Sequence, residues 1–252
     1  MARTARKKSE TGIYHVILRG INKQLVFEED SDYERFLTVL GEVKEISRFK
    51  LYAFCLMPNH IHLLMEEKEE PLGEIFRRIG SRFVFWYNWK YERSGHLFQG
   101  RYTSEPVESD EYFIAVLAYI HQNPVKAGLC SRASDYRWSS RSVLGSGGIV
   151  DTDELANIIS LKDIAYLDER AVDDDVLEIK IGRKQLVSDY RALEWLKDYF
   201  GVVHAAELQA LDRDLLVQAF LLLQEKGVSI RQFSRLSGLS KGVLERMKRS
   251  SS

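Results

Sequence analysis

Two histidines one residue apart, His60 and His62, follow Pro58-Asn59 within an apolar run. Alternation along an extended strand sends residues i and i+2 to the same face, so the two imidazoles project side by side. The flanking Ile61, Leu63 and Met65 are apolar. Neutral imidazoles suit a borderline divalent ion, yet two ligands alone hold nothing tightly, so a third donor must come from another element. Taken by itself, such a pair is more often structural or incidental than a metal site.

The surrounding elements can be read in order. Ile13 to Arg19 is β-branched and alternating, and Gly20 follows it. Ser31 with Glu34 forms a capping box ahead of a helix to about Ser47, which carries Phe36, Leu37, Leu40 and Val43 on one side. Leu51 to Met57 and His60 to Glu66 read as strands flanking the turn at Pro58-Asn59. Pro71 opens a second helix to about Tyr91, and Ser94-Gly95 breaks it. Tyr102 to Glu108 reads as a short strand, and Ser109 caps a third helix from Asp110 to about Gln122, stopped by Asn123-Pro124. Strand, helix, two strands, helix, strand is an α+β, ferredoxin-like βαββαβ sandwich, here with an added helix.

That third helix supplies what the histidines lack. Tyr119 and Asn123 are four apart and share a face, with Tyr112 two turns back. If this face lies over the sheet, Asn123 offers a side-chain oxygen to an ion held by His60 and His62, and the Tyr119 phenol stands beside it. A polarised phosphodiester next to a phenolic nucleophile makes a phosphoryl-transfer site. The tyrosine would keep the 5′ phosphate as an ester while the 3′ hydroxyl leaves. The competing reading of Tyr119 is an ordinary core aromatic.

Composition narrows the classes. The 252 residues suffice for one well-buried core and a smaller second domain. No apolar run is long enough for a membrane span, and the first residues lack the apolar core of a signal peptide, so a cytoplasmic protein is expected. Cys55 and Cys130 have no zinc or redox spacing and read as free thiols. A net charge of −1 argues against nucleic acid until its distribution is considered. Residues 71–104 carry Arg77, Arg78, Arg82, Lys90, Arg93 and Arg101 against Glu74 and Glu92 only, interleaved with Phe83, Phe85, Trp86, Tyr87, Trp89 and Tyr91. Gripping phosphates and stacking on unpaired bases would require such a stretch, and an amphipathic helix with a solvated basic face would produce it too.

Five runs carry a family resemblance. They are Tyr14-His15-Val16 with Arg19-Gly20, Cys55 to Leu64, Gly95 to Tyr102, Tyr119 to Leu129, and Tyr136 to Ser140. Together, over about residues 10–145, they resemble the single-tyrosine HUH transposases of the IS200-like group, and most nearly the REP-associated tyrosine transposase branch. The resemblance implies a divalent ion, Mg²⁺ or Mn²⁺, and a helix-borne tyrosine that cuts single-stranded DNA beside a hairpin or palindromic repeat. Carried over by position, His60 and His62 match the metal pair, Tyr119 the nucleophile and Asn123 the third polar ligand. Tyr112 is the alternative nucleophile, but eleven residues from Asn123 is about 16 Å along a helix, which is too far. Arg101 and Lys126 are placed to meet phosphates and equally could be solvated charges. His15 could face DNA or be a satisfied structural histidine.

Gly145-Ser146-Gly147-Gly148 reads as a flexible boundary, which divides the chain into a catalytic domain, 1–145, and a helical domain, 146–252. Over about 214–250, Asp214 to Glu225, Ser229 to Leu236, a Gly238-Leu239-Ser240 turn and a basic helix from Lys241 outline a helix-turn-helix. Lys241 and Arg246 on its last helix suit a duplex stem, and three-helix bundles of this outline also contact proteins. The expected activity is cleavage and rejoining of single-stranded DNA through a 5′-phosphotyrosine. A DNA- or RNA-binding regulator with catalysis lost is the alternative, and monomer and homodimer are equally open.

Overall fold

The computed structural model describes residues 7–144, 148–168 and 189–249. Strands β1 (Ile13–Arg19), β2 (Lys50–Met57), β3 (His60–Glu66) and β4 (Thr103–Pro106) form one antiparallel sheet in the order β2-β3-β1-β4. Helices α1 (Asp30–Ser47) and α2 (Leu72–Lys90) cover one face, where Val16, Leu18, Ile61, Leu63 and Met65 meet Phe36, Leu40 and Phe83. Helix α3 (Asp110–Lys126) covers the other, with Phe113, Leu117 and Ile120 against Cys55, Met57 and Leu64. The order β1-α1-β2-β3-α2-β4 is the expected ferredoxin-like sandwich, with α3 as the added helix.

The last strand is shorter than the expected Tyr102 to Glu108, and two helix boundaries differ as well. The cap of α1 is Glu29 with Asp32, not Ser31 with Glu34. Asp32 is buried and accepts from the Tyr91 hydroxyl at 2.7 Å as well as from the Glu29 amide at 3.1 Å, so a tertiary contact selects the cap. Helix α3 does not stop at Gln122 but continues through Pro124 to Lys126. Proline removes one amide, the partner of the Ile120 carbonyl, without preventing helical φ. The turn closes beyond it through Ala127 N to Asn123 O at 3.0 Å and Leu129 N to Pro124 O at 2.9 Å.

Of the expected boundary, 145–147 lie outside the described residues. Beyond them, after the short helix α4 (Ser140–Val143), come α5 (Thr152–Ala156) and α6 (Leu161–Asp168), whose Leu155, Ile159 and Ile164 join the α3 core. Asp151 is held by Lys44 at 2.8 Å and by the Leu51 amide at 2.8 Å. Helices α7 (Asp189–Phe200), α8 (Arg213–Glu225), α9 (Ile230–Ser237) and α10 (Lys241–Arg249) share a core of their own, containing Leu196, Phe220, Leu223, Phe233 and Leu244. Among the described residues no helix is long and apolar enough to cross a membrane.

This bundle grips the loop after β1. Leu25 enters its core, and Asn22 Nδ2 donates to the Gly238 carbonyl at 2.9 Å. Gly238 ends α9 at φ +70°, where a Cβ would stand 2.4 Å from both Gln24 Oε1 and Gln209 Nε2. Both amides are engaged, Gln24 with Leu97 O and Gln209 with Ser237 O. Gly238→Ala is therefore expected to cost about 2 kcal/mol, a Tm drop of roughly 4–8 °C by calorimetry.

Glu28 sits at the same junction, accepting from the Tyr87 hydroxyl at 2.8 Å and the Ala206 amide at 3.1 Å. Its Oε2 is buried without a partner, and burial pushes the carboxyl up to about 7. For an acid raised above its unfolded value of 4.5, the stability it contributes is full below pH 4.5 and is lost as pH rises to about 7. Glu28→Gln should therefore raise stability at pH 8 by about 1–3 kcal/mol and leave pH 4.5 nearly unchanged, read from Tm against pH.

Candidate active site

Register builds the site. His60 pairs with Arg19 on β1 and with Met57 on β2, and His62 pairs with Ile17 and Cys55. With Ile61, Leu63 and Met65 committed to the α1–α2 core, His60 and His62 turn toward α3, as do His15 and Arg19 on the adjoining strand. The ring centroids of His60 and His62 are 4.9 Å apart. Tyr119, from α3, sets the edge of its ring against both His62, at 5.6 Å, and His15, at 5.9 Å. Lys126 Nζ lies over the Tyr119 ring, 5.3 Å from its centroid. Asn123 bonds the Tyr119 carbonyl through Nδ2 at 3.0 Å and also reaches His60 with its side chain. The structure thus brings His60, His62, Tyr119 and Asn123 into one cluster.

The electrostatics keep the imidazoles neutral. Burial, then the Arg19 charge, lowers His60 to about 3, and burial alone lowers His15 to about 3. His62 is driven well below the ordinary value by burial and then by competition for the proton with His60 and His15 and by the Arg19 charge. Asn59 Oδ1 lies 2.7 Å from His60 Nδ1, so that nitrogen carries the hydrogen and Nε2 keeps a lone pair. His62 Nδ1 is 2.9 Å from His15 Nε2, while His62 Nε2 is buried with no partner. Donation from His62 Nδ1 to His15 leaves that orphaned Nε2 as a lone pair, the orientation a metal-ligating histidine needs.

This donor set fits a divalent ion: two imidazole nitrogens, with the Asn123 amide as the third donor. Among the described residues no cluster of three His, Cys, Asp or Glu side chains is arranged to hold a metal, so a third donor at this cluster would have to be of another type, such as an amide. Exposure is 3% at His60, 0% at His62, 3% at Tyr119 and 8% at Asn123. The cluster is largely closed to solvent in this arrangement. The turn weakened by Pro124 follows directly after the tyrosine.

The other expected residues lie elsewhere. Tyr112 is near Glu105 of β4, which with burial raises its phenol above the ordinary value. Arg77, Arg78 and Arg82 are on α2, across the sheet from the histidines, paired with Glu74 at 2.8 Å, Glu70 at 2.7 Å and Glu42 at 3.9 Å. On that helix Phe83 and Tyr87 are core residues, while Phe85 and Trp89 are exposed. Arg101 is exposed in the loop before β4. On α10, Lys241 pairs with Glu245 at 3.1 Å and Arg246 Nε donates to the Gly242 carbonyl at 3.2 Å. His121 is buried 2.9 Å from Ser140 Oγ, and Trp138 stacks on Tyr33 at 4.5 Å, closing one end of the core. Sequence reading alone did not select Arg19 or Asn59. Both adjoin His60, Asn59 in the chain and Arg19 across the ladder, and only the strand register reveals the second.

Comparison with known proteins bears on the family and the fold. The family model described as "Transposase IS200 like" matches residues 8–123. A protein of Haemophilus influenzae assigned as a REP-associated tyrosine transposase is 28% identical over 155 residues, 56% of this chain and 85% of that one. The REP-associated tyrosine transposase of Escherichia coli is 24% identical over 135 residues, 53% of this chain and 77% of its own. Among solved structures, a REP-associated tyrosine transposase bound to a REP hairpin shares the fold with a TM-score of 0.54 and 18% identity, over 75% of this chain and 100% of that chain.

Proposed function

We propose, from the premise that residues 8–123 belong to the IS200-like transposase family, that this enzyme cuts and rejoins single-stranded DNA beside a hairpin or palindromic repeat through a 5′-phosphotyrosine at Tyr119. The observation that carries the reading is the Tyr119 ring standing over the buried histidines, 5.6 Å from His62. The hairpin substrate is inferred from the related transposase found with a REP hairpin.

His60, His62 and Asn123 would hold Mg²⁺ or Mn²⁺. Such an ion, when bound, polarises the phosphodiester and offsets charge developing on its oxygens. The Tyr119 oxygen attacks phosphorus, forming the P–O bond to the phenol as the P–O3′ bond breaks, and the phenolic proton ends on the departing 3′ hydroxyl. The ester conserves the bond energy, so attack by another 3′ hydroxyl reverses the step and joins strands without a nucleotide cofactor. His15 and Asn59 fix the tautomers of the two metal-facing rings. His15→Ala should accordingly lower Mn²⁺ affinity by about 10–100-fold, read by titration, with Tyr119 intact.

A hairpin strand labelled on either side of the cut tests the reading on a denaturing gel. The fragment with the 5′ phosphate should stay attached to protein, and the other should leave with a 3′ hydroxyl. Cleavage without attachment would indicate hydrolysis by water, and binding with neither would indicate a regulator.

A further inference from the structure

The last residue of β1 has no assigned role. Arg19 stands directly across the ladder from His60, on the face that α3 covers. Its position is fixed from both sides, since its carbonyl accepts from Gln99 N at 2.7 Å and the next amide, of Gly20, donates to Asn59 O at 2.9 Å. The side chain is half-buried, and Nε is out of contact with solvent and without a hydrogen-bond partner. Arg77, Arg78, Arg82 and Arg137 each face a carboxylate, whereas among the described residues Arg19 has none within ion-pair distance.

A cation held half out of water beside three neutral imidazoles is costly, and more so if a divalent ion joins the same face. The arrangement makes sense once an anion lies between the two. We propose that Arg19 grips the phosphate to be cut, its planar guanidinium donating to the non-bridging oxygens. Arginine suits this role because its fork matches two phosphate oxygens at once. As the tyrosine oxygen attacks, charge on those oxygens grows, so a preorganised guanidinium binds the transition state more strongly than the ground state. The inference rests on the tyrosine reading for the identity of the phosphate and makes Arg19 a catalytic residue.

The test uses a set of hairpin strands, each with one neutral methylphosphonate along the single-stranded flank, and compares the full chain with Arg19→Ala and Arg19→Lys. Binding is measured in the Tyr119→Phe background, where no adduct forms, and adduct formation in the otherwise unaltered chain. Arg19→Ala should weaken binding of the all-phosphate strand about tenfold and slow its adduct formation at least about 100-fold. With the methylphosphonate at the cut linkage, both effects should shrink below about threefold. Arg19→Lys should fall between. Thermal melting and hairpin affinity separate these effects from misfolding, and the lysine variant keeps the charge if the alanine variant fails to fold.

Coupling of Arg19 to a different linkage, or an equal loss with every strand, would overturn the proposal. A chain that forms no adduct at all would count against the tyrosine chemistry. The binding series would then still decide on Arg19, by whether a single linkage couples to it.

Discussion

Tyr119→Phe is expected to abolish the covalent DNA–protein adduct and slow strand cleavage by at least about 10⁴-fold, while hairpin affinity should stay within about twofold. The substitution removes one oxygen. The ring that packs against His15 and His62, and that Lys126 covers, remains. Retained shape means that lost activity reports lost nucleophile. Tyr112→Phe is the matching control: its phenol lies by Glu105, and unlike Tyr119 it makes no ring contact with His60 or His62, so no comparable loss is expected. Quantitative attachment of a labelled strand to each variant on a denaturing gel gives the comparison. A Tyr119→Phe chain that still forms adduct would transfer the role to another group.

The second large effect falls on the metal. His62→Ala should reduce Mn²⁺ affinity by more than about 100-fold, measured by titration, and reduce adduct formation by about 10³-fold. His62 is the ring whose Nε2 is buried without a partner, so the site loses the lone pair best placed for an ion. The variant also strands His15 Nε2, which is hydrogen-bonded to His62 Nδ1 at 2.9 Å, so melting must be followed in parallel. Asn123→Ala should weaken the ion less, since an amide oxygen is a poorer donor to a borderline ion than imidazole. Because burial holds His60 near 3, protons do not compete for its lone pair at neutral pH, and Mn²⁺ affinity should change little between pH 8 and pH 6.

Much of the site was legible in residue order, and the reasons are specific. His-x-His in an apolar run fixes its own geometry, because strand alternation acts locally. Tyr119 and Asn123 share a face by helical spacing, and the apolar side of α3 had to meet the sheet. What local rules could not supply was register. His15 and Arg19 reach the site only because β1 pairs with β3 so that Arg19 meets His60 and His62 meets Ile17. An arginine ending a strand, read alone, is a solvated boundary. The arginines of α2 show the converse: periodicity puts them in solvent, but nothing in their spacing says which side of the sheet that solvent lies on. The cap of α1 and the end of α3 were misread where a tertiary contact, Asp32 with Tyr91, and a tolerated proline overrode local signals.

The most direct measurement maps the attachment itself. The chain is incubated with a single-stranded hairpin and Mn²⁺, digested with protease and nuclease, and the nucleotide-bearing peptide is sequenced by mass spectrometry. The modified residue should be Tyr119, carrying a 5′-linked phosphate. A nucleotide attached to any other side chain, or DNA cut to completion with no modified peptide, would contradict the account.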